Sequence, residues 1–121
     1  MGARSEFVEY LIEQLEPLGP LKLRAMFGGH GIYLDGLFMA VLFDDMLYLK
    51  ADAESRERFA AAGSEPFIYA DRTGRQIEIG YWRLPDDALE DGDSMRAWAR
   101  EAIGAALRAR DRKKPKKRRT V

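Results

Sequence analysis

Two polar turns divide residues 31–50 into three apolar runs, and this spacing constrains the fold of the 121-residue chain more than any other feature. The first turn is Asp35-Gly36, and both residue types tolerate the positive φ angles of a two-residue type I′ turn. The second turn is Asp44-Asp45. Because two-residue turns join antiparallel neighbours, this segment predicts consecutive hairpins in an antiparallel sheet.

Further strands are predicted on both sides of this segment. Residues 23–29 form a short strand-like run that is broken by paired glycines. Residues 66–70 and 76–82 flank a turn at 71–74, which predicts a second hairpin. With three or four strands in the first block and two in the second, the predicted sheet has five or six strands.

Apolar residues spaced three to four apart predict helices at 4–18 and around 95–107, and a cap at Asp52 with a C-terminal stop at Gly63 predicts a helix at about 53–62. Ser5 and Asp52 are the expected N-caps of the first two helices. Pro85-Asp86-Asp87 is expected to begin a short helical turn that Gly92 interrupts, and Pro115 is expected to end the last helix. The predicted order is α, three or four β, α, two β, α, which is an α+β fold with helices on one face of the sheet.

The formal net charge of zero conceals two oppositely charged regions. Residues 108–119 contain nine Lys or Arg and one acid, whereas the rest of the chain has eleven basic and nineteen acidic side chains. We therefore predict an acidic folded domain at 1–107 and a basic tail at 108–121, disordered after Pro115.

The composition excludes several kinds of site. The absence of cysteine excludes disulfides and thiol chemistry, and a single histidine, His30, excludes sites that need two. No G-x-S-x-G, Walker or G-x-G-x-x-G motif occurs, and the paired aspartates do not have calcium-loop spacing. We predict no catalytic residue, metal or cofactor, with an enzyme that uses an unrecognised carboxylate site as the lesser alternative. No segment has the pattern of a membrane helix or a secretory signal, so we expect a cytoplasmic protein without membrane contact.

Two places in the sheet are candidate protein contacts. The first is the glycine-rich bend formed by Phe27, Gly28, Gly29 and His30. The second is the consecutive pair Tyr81 and Trp82, whose side chains must point to opposite faces of a strand, so that one of them is expected on the less buried side.

The basic tail is a candidate nucleic-acid contact. Its cationic side chains are Arg108, Arg110, Arg112, Lys113, Lys114, Lys116, Lys117, Arg118 and Arg119. Such a cluster can neutralise phosphates without reading sequence. The alternatives are a solvated tail that aids solubility and a tail that folds against the acidic domain.

Several segments together resemble the N-terminal domain of the TfoX/Sxy family. They are Met26-Phe27-Gly28-Gly29-x-Gly31-x-Tyr33-x-Asp35-Gly36, Leu47-Tyr48-Leu49-Lys50-x-Asp52, Gly63-Ser64-Glu65-Pro66-Phe67, Tyr81-Trp82-Arg83-Leu84-Pro85 and Trp98-Ala99-Arg100. The resemblance covers about residues 5–108. It implies a single-domain form of a secretion-chaperone-like α+β fold and kinship with bacterial competence regulators that act with transcription machinery as coactivators.

These observations favour a non-enzymatic regulatory or adaptor domain that acts through protein contacts. The expected partners are another protein, with transcription machinery as one candidate, or a second copy of the chain in a homodimer. Sequence-tolerant nucleic-acid binding through the tail is the alternative.

Overall fold

A computed structural model describes residues 6–26 and 28–113 of the chain. In chain order the elements are α1 (Glu6–Leu15), β1 (Leu21–Met26), β2 (Gly29–Leu34), β3 (Leu37–Phe43), β4 (Met46–Lys50), α2 (Arg56–Ala61), β5 (Pro66–Ala70), β6 (Gln76–Arg83) and α3 (Gly92–Lys113). Short 3-10 helices cover Glu16–Leu18 and Asp86–Ala88.

The six strands form one open sheet in the order β1-β2-β3-β4-β6-β5. All neighbouring strands are antiparallel, as the two-residue turns predict. The first four strands are a meander, and β6 then pairs with β4, which leaves β5 as the last strand of the sheet. This arrangement confirms the predicted α+β class and antiparallel sheet.

The backbone of both short turns explains why the hairpins form there. Asp35 and Gly36 have φ angles of 51° and 80°, and Asp44 and Asp45 have φ angles of 55° and 58°. Two successive positive φ angles define the type I′ turn, whose twist matches that of the flanking strands. Asp tolerates this region better than most side chains, so these turns fix the register of β2, β3 and β4.

The predicted short helical turn is present as the 3-10 helix Asp86–Ala88, but it ends before Gly92, so the predicted boundary at Gly92 is wrong. Gly92 is the first residue of α3, which runs on to Lys113. The Asp91 carboxylate accepts hydrogen bonds from the backbone N–H groups of Asp93 and Ser94, at 3.1 and 3.3 Å. Aspartate at this position satisfies N–H groups that a helix leaves unpaired, so the helix begins despite the glycine.

One face of the sheet carries the hydrophobic core. Cross-strand partners on this face form the rows Leu21–Leu34–Leu37, Leu23–Ile32–Ala40–Leu49–Trp82 and Ala25–His30–Leu42–Leu47. Against them pack Val8, Leu11 and Leu15 of α1 and the small side chains Ala99 and Ala102 of α3. Alanines let the axis of α3 approach the sheet closely, so both helices cover the same face.

The short helix α2 joins this layer through one aromatic side chain. Phe59 is fully buried, and its ring centroid lies 4.6 Å from that of Trp98 in α3 and 6.4 Å from that of Trp82 in β6. All three helices therefore lie on the same side of the sheet. Within the described residues, no helix is long and apolar enough to cross a membrane.

Candidate functional site

The opposite face of the sheet, here called the open face, is covered by no described helix. Cross-strand partners on it form the rows Lys22–Tyr33–Phe38, Arg24–Gly31–Val41–Tyr48–Arg83, Met26–Gly29, Phe43–Met46 and Lys50–Tyr81. A bulge in β3 puts one extra residue opposite Ile32 and Tyr33, which turns Phe38 toward this face. The open face therefore combines aromatic, methionine and cationic side chains.

The aromatic rings of the open face form two groups. In the first, Tyr33 stacks on Phe38 with centroids 4.9 Å apart and an interplanar angle of 25°, and Phe38 contacts Tyr81 at 5.9 Å. In the second, Phe67 contacts Tyr48 at 4.8 Å and Phe43 at 5.8 Å. Offset and tilted contacts of this kind are favourable between aromatic quadrupoles. Apart from the buried Tyr81, these rings are half-buried.

Gly31 lies under the first aromatic group and makes room for it. A Cβ atom at this position would lie 2.5 Å from Cε of Met26 and 2.9 Å from the ring of Phe38. The two side chains thus rest directly on the backbone of β2. Glycine is needed here for close packing rather than for a positive φ angle.

Cations accompany the first aromatic group. The guanidinium carbon of Arg24 lies 5.8 Å from the ring centroid of Tyr33, and Nζ of Lys50 lies 5.1 Å from that of Tyr81. Both distances are within the range of a cation–π interaction. Lys22 and Arg24 are exposed, and neither forms an ion pair with another described residue. Positive charge is therefore available to a ligand at this edge of the sheet.

A depression of about 480 Å³ opens at the same edge. Its lining residues are Pro20, Leu21, Lys22, Arg24, Tyr33, Asp35 and Gly36. The concavity thus brings two cations, one aromatic ring and one carboxylate to a common surface. Pockets of a few hundred cubic ångströms are the size that accommodates small organic groups.

A second surface is the hairpin formed by β5 and β6. Four large apolar side chains on it are exposed: Ile68 at 44%, Tyr69 at 53%, Ile77 at 37% and Ile79 at 40%. Tyr69 and Ile77 are cross-strand partners, and Ile68 pairs with the exposed Glu78. Since successive residues of a strand point to opposite faces, both faces of the outer hairpin are exposed.

An ion pair attaches the end of α3 to the domain. Arg108 donates from Nε to Oδ2 of Asp52 at 2.7 Å and from Nη2 to Oδ1 at 3.0 Å. Its Nη1 also lies 3.3 Å from a carboxylate oxygen of Glu54. The prediction that Asp52 is the N-cap of α2 is wrong, because Ser55 occupies that position, and Oδ1 of Asp52 instead accepts the backbone N–H groups of Glu54 and Ser55 in the turn before the helix. The role of Asp52 as the partner of Arg108 was missed because the two residues are far apart in sequence.

Two side chains have clearly shifted pKa values. The hydrogen bonds from Arg108, supported by those from Ser55, lower the pKa of Asp52 to about 2 despite partial burial. Burial, with a smaller contribution from Tyr33, raises the pKa of Tyr81 to about 12. Both pKa shifts thus have a structural cause, namely the hydrogen bonds to the Asp52 carboxylate and the burial of the Tyr81 hydroxyl.

The predicted protein-contact residues are distributed over both sides of the sheet. Tyr81 and Trp82 point to opposite faces, and both are buried, at 7% and 9% exposure. His30 lies within β2 rather than in a bend, on the helix-covered side, and is half-buried. Gly28 is exposed with a φ of 79°, and Gly29 begins β2. Phe27 lies outside the described residues, and the contact role of this set stays a prediction.

The predicted nucleic-acid contacts divide into helical residues and undescribed ones. Arg108, Arg110, Arg112 and Lys113 belong to α3, and Arg108 is held by Asp52. Arg110 and Arg112 are both exposed near the end of the helix. The remaining candidates, Lys114, Lys116, Lys117, Arg118 and Arg119, lie outside the described residues. The tail's role and its boundary with the domain stay predictions.

Within the described part of the chain, no group of three or more His, Asp or Glu side chains is placed to hold a metal ion. What the fold does define is a sheet with one face covered by helices and the other presenting rings and cations. This is an α+β architecture with an open antiparallel sheet, and the comparisons with known proteins agree with that class.

The chain belongs to the TfoX N-terminal domain family, whose model matches residues 13–106. The sequence resemblance and the α+β fold it implied are thereby confirmed. The family is a regulatory domain and not a known enzyme family.

The chain is also similar to Protein Sxy of Escherichia coli strain K12, with 22% identity over 106 residues. The matched region covers 88% of this chain and 50% of Sxy, so the chain spans about half the length of that relative. Together the two matches support a competence-regulator-like domain.

Proposed function

We propose that this domain regulates by binding another protein, and that the β5–β6 hairpin is the element that binds. The observation that carries the proposal is the exposure of Ile68, Tyr69, Ile77 and Ile79 on both faces of one hairpin. Clusters of exposed apolar side chains cost free energy in water and are typical of interaction sites.

The anchorage of the hairpin supports this role. Phe67 packs on Tyr48 and Phe43, so the base of the hairpin is fixed to the sheet while its outer part projects. β5 is the last strand of the sheet, and its outward backbone groups are available to pair with a partner strand. A partner can thus combine apolar contacts with strand pairing.

The family suggests where to look for the partner. We propose a cytoplasmic regulatory role in which transcription machinery is the first partner to test, in keeping with kinship to competence regulators. The hairpin is proposed as the contact in place of the buried Trp82, whose side chain a partner cannot reach without opening the core.

The test compares the full chain with Tyr69→Ser, Ile79→Ser and, as the matched control, Leu107→Ser, an exposed apolar residue on α3. Each protein is used to capture binding partners at high salt. Each captured partner is then purified, and its affinity for all four proteins is measured by titration. We expect the control to bind like the native chain and each hairpin variant to bind at least tenfold more weakly.

Equal binding by all four proteins would overturn the assignment to the hairpin. Sedimentation equilibrium separates one further case. If the hairpin variants lose only self-association, the hairpin is a homodimer contact and the adaptor role is wrong.

A further inference from the structure

We propose that the open face binds single-stranded nucleic acid, with bases stacking near Tyr33 and Phe38 and phosphates contacting Lys22 and Arg24. This site is separate from the hairpin, and it does not rest on the protein-binding role proposed above.

The residue composition of the open face favours an anionic ligand. The cross-strand rows that define the open face contain no acidic residue and the cations Lys22, Arg24, Lys50 and Arg83. Since Arg83 lies 3.9 Å from carboxylate oxygens of Glu65 and Asp86, the charge relevant to a ligand is that of Lys22 and Arg24 at the β1 edge. The chain outside residues 108–119 has an excess of acids, so this concentration of positive charge runs against the domain's overall balance. Charge complementarity therefore favours an anionic ligand.

The positions of the Tyr33 and Phe38 rings favour contact with unpaired bases. Tyr33 and Phe38 are stacked on a face that no described helix covers, and they remain half-buried rather than buried. One face of Tyr33 is packed on Phe38 and the Arg24 guanidinium lies over the same ring, so an unpaired base would stack on the remaining exposed part of the rings or displace Arg24 from Tyr33. Arg24 lies over the ring of Tyr33, and a guanidinium plane can also stack on a base.

The surface at this edge of the sheet is concave. The depression of about 480 Å³ joins Lys22, Arg24 and Tyr33 in one concavity, with Asp35 at the turn between β2 and β3. A base that enters it meets an aromatic ring and a carboxylate that can accept hydrogen bonds from exocyclic amino groups. The two cations lie on the edge strand, where the backbone of a strand crossing the sheet can pass.

These features favour a single strand over a duplex. In a duplex the faces of the bases are covered by their neighbours, so the rings of the open face would have nothing to stack on. The predicted tail contact differs, since it requires phosphates only and does not distinguish the two forms.

The experiment measures fluorescence anisotropy of labelled ten-nucleotide RNA and DNA strands of mixed sequence with the full chain. Unlabelled single strand and duplex of the same sequence serve as competitors. The variants are Tyr33→Leu, Tyr33→Phe and Arg24→Gln. The controls are Tyr69→Leu on the hairpin and Arg100→Gln on α3, which make the same chemical changes at exposed residues elsewhere. The basic tail is the same in the native chain, the variants and the controls, so a difference in affinity between two of these proteins does not come from the tail.

We expect Tyr33→Leu to weaken single-strand binding by about 5-fold to 150-fold, the range for one stacked base, and Tyr33→Phe to bind like the native chain. Arg24→Gln should reduce the slope of log K against log salt by about 0.7, the value for one phosphate contact on a single strand. Neither control should weaken single-strand binding or reduce the salt slope in this way. The RNA and DNA arms show which strand is preferred.

Three results would overturn the proposal. They are no single-strand binding by the native chain, equal loss of single-strand and duplex binding in Tyr33→Leu, or equal weakening by the controls. Thermal melting checks that each variant is folded. If Tyr33→Leu does not fold, the salt slope of Arg24→Gln decides, because that exposed side chain lies outside the core.

Discussion

Arg108 and Asp52 are joined by two hydrogen bonds, with Nε 2.7 Å from Oδ2 and Nη2 3.0 Å from Oδ1. The geometry is bidentate, which matches the planar guanidinium to the two carboxylate oxygens. The pair ties the end of α3 to the segment that precedes α2.

Substitution of either partner should destabilise the protein. For Arg108→Ala or Asp52→Asn, we expect the free energy of unfolding to fall by about 1–3 kcal/mol, because charge-assisted hydrogen bonds are lost. The double variant should cost less than the sum of the two. Urea denaturation measures all three. Glu54→Gln is the control, since its carboxylate is 66% exposed and should contribute less than about 1 kcal/mol.

Acid should remove the contribution of Asp52. Because the pKa of Asp52 is lowered to about 2 in the folded protein, the stabilisation is complete above the ordinary pKa near 4 and is lost as the pH falls toward 2. We therefore expect the stability difference between the native chain and Asp52→Asn to be constant at neutral pH and to shrink below pH 4. Urea titrations at a series of pH values test this, and a difference that grows in acid would contradict it.

Three glycines should respond differently to alanine. A Cβ at Gly29 would collide with the backbone carbonyl oxygen of Leu42, whereas one at Gly31 meets the side chains of Met26 and Phe38. Backbone in a sheet yields less than the end of a methionine, so we expect Gly29→Ala to be the more destabilising, by more than about 2 kcal/mol.

Gly104→Ala should change the stability in the opposite direction from the other two variants. A Cβ there lies 3.4 Å from the guanidinium of Arg108, an ordinary contact, and the position is within α3. Alanine favours a helix over glycine by up to about 1 kcal/mol, so the variant should be more stable than the native chain. Thermal melting ranks the three variants, and a destabilised Gly104→Ala would show that the helix packs more tightly at this point than the structure indicates.

Trp82→Ala should act on the core. The Trp82 side chain is buried against Phe59, and its truncation should cost about 3–5 kcal/mol. A loss of partner binding in this variant would therefore follow from unfolding. Chemical denaturation followed by the fluorescence of the remaining Trp98 measures the cost, and a change below about 1 kcal/mol would mean that Trp82 is not a core residue.

The sequence predicts the sheet well because its signals are local. Asp35-Gly36 and Asp44-Asp45 restrict the backbone within the turns themselves, and the two-residue alternation around them is read directly from neighbouring positions. The same locality explains the error at Gly92. A glycine alone indicates a break, but the carboxylate of Asp91 satisfies the first N–H groups of α3 and the helix begins there.

Tertiary structure alone decided which residues meet. The sequence by itself determined an α+β chain with an antiparallel sheet, an acidic domain and a basic end, because turn geometry, periodicity and charge are properties of neighbouring residues. It could not place Arg108 on Asp52, gather Lys22, Arg24 and Tyr33 at one edge, or leave the β5–β6 hairpin exposed while burying Trp82. Those relationships depend on strand order and on which face the helices cover, and both are set by packing between segments that are distant in the chain.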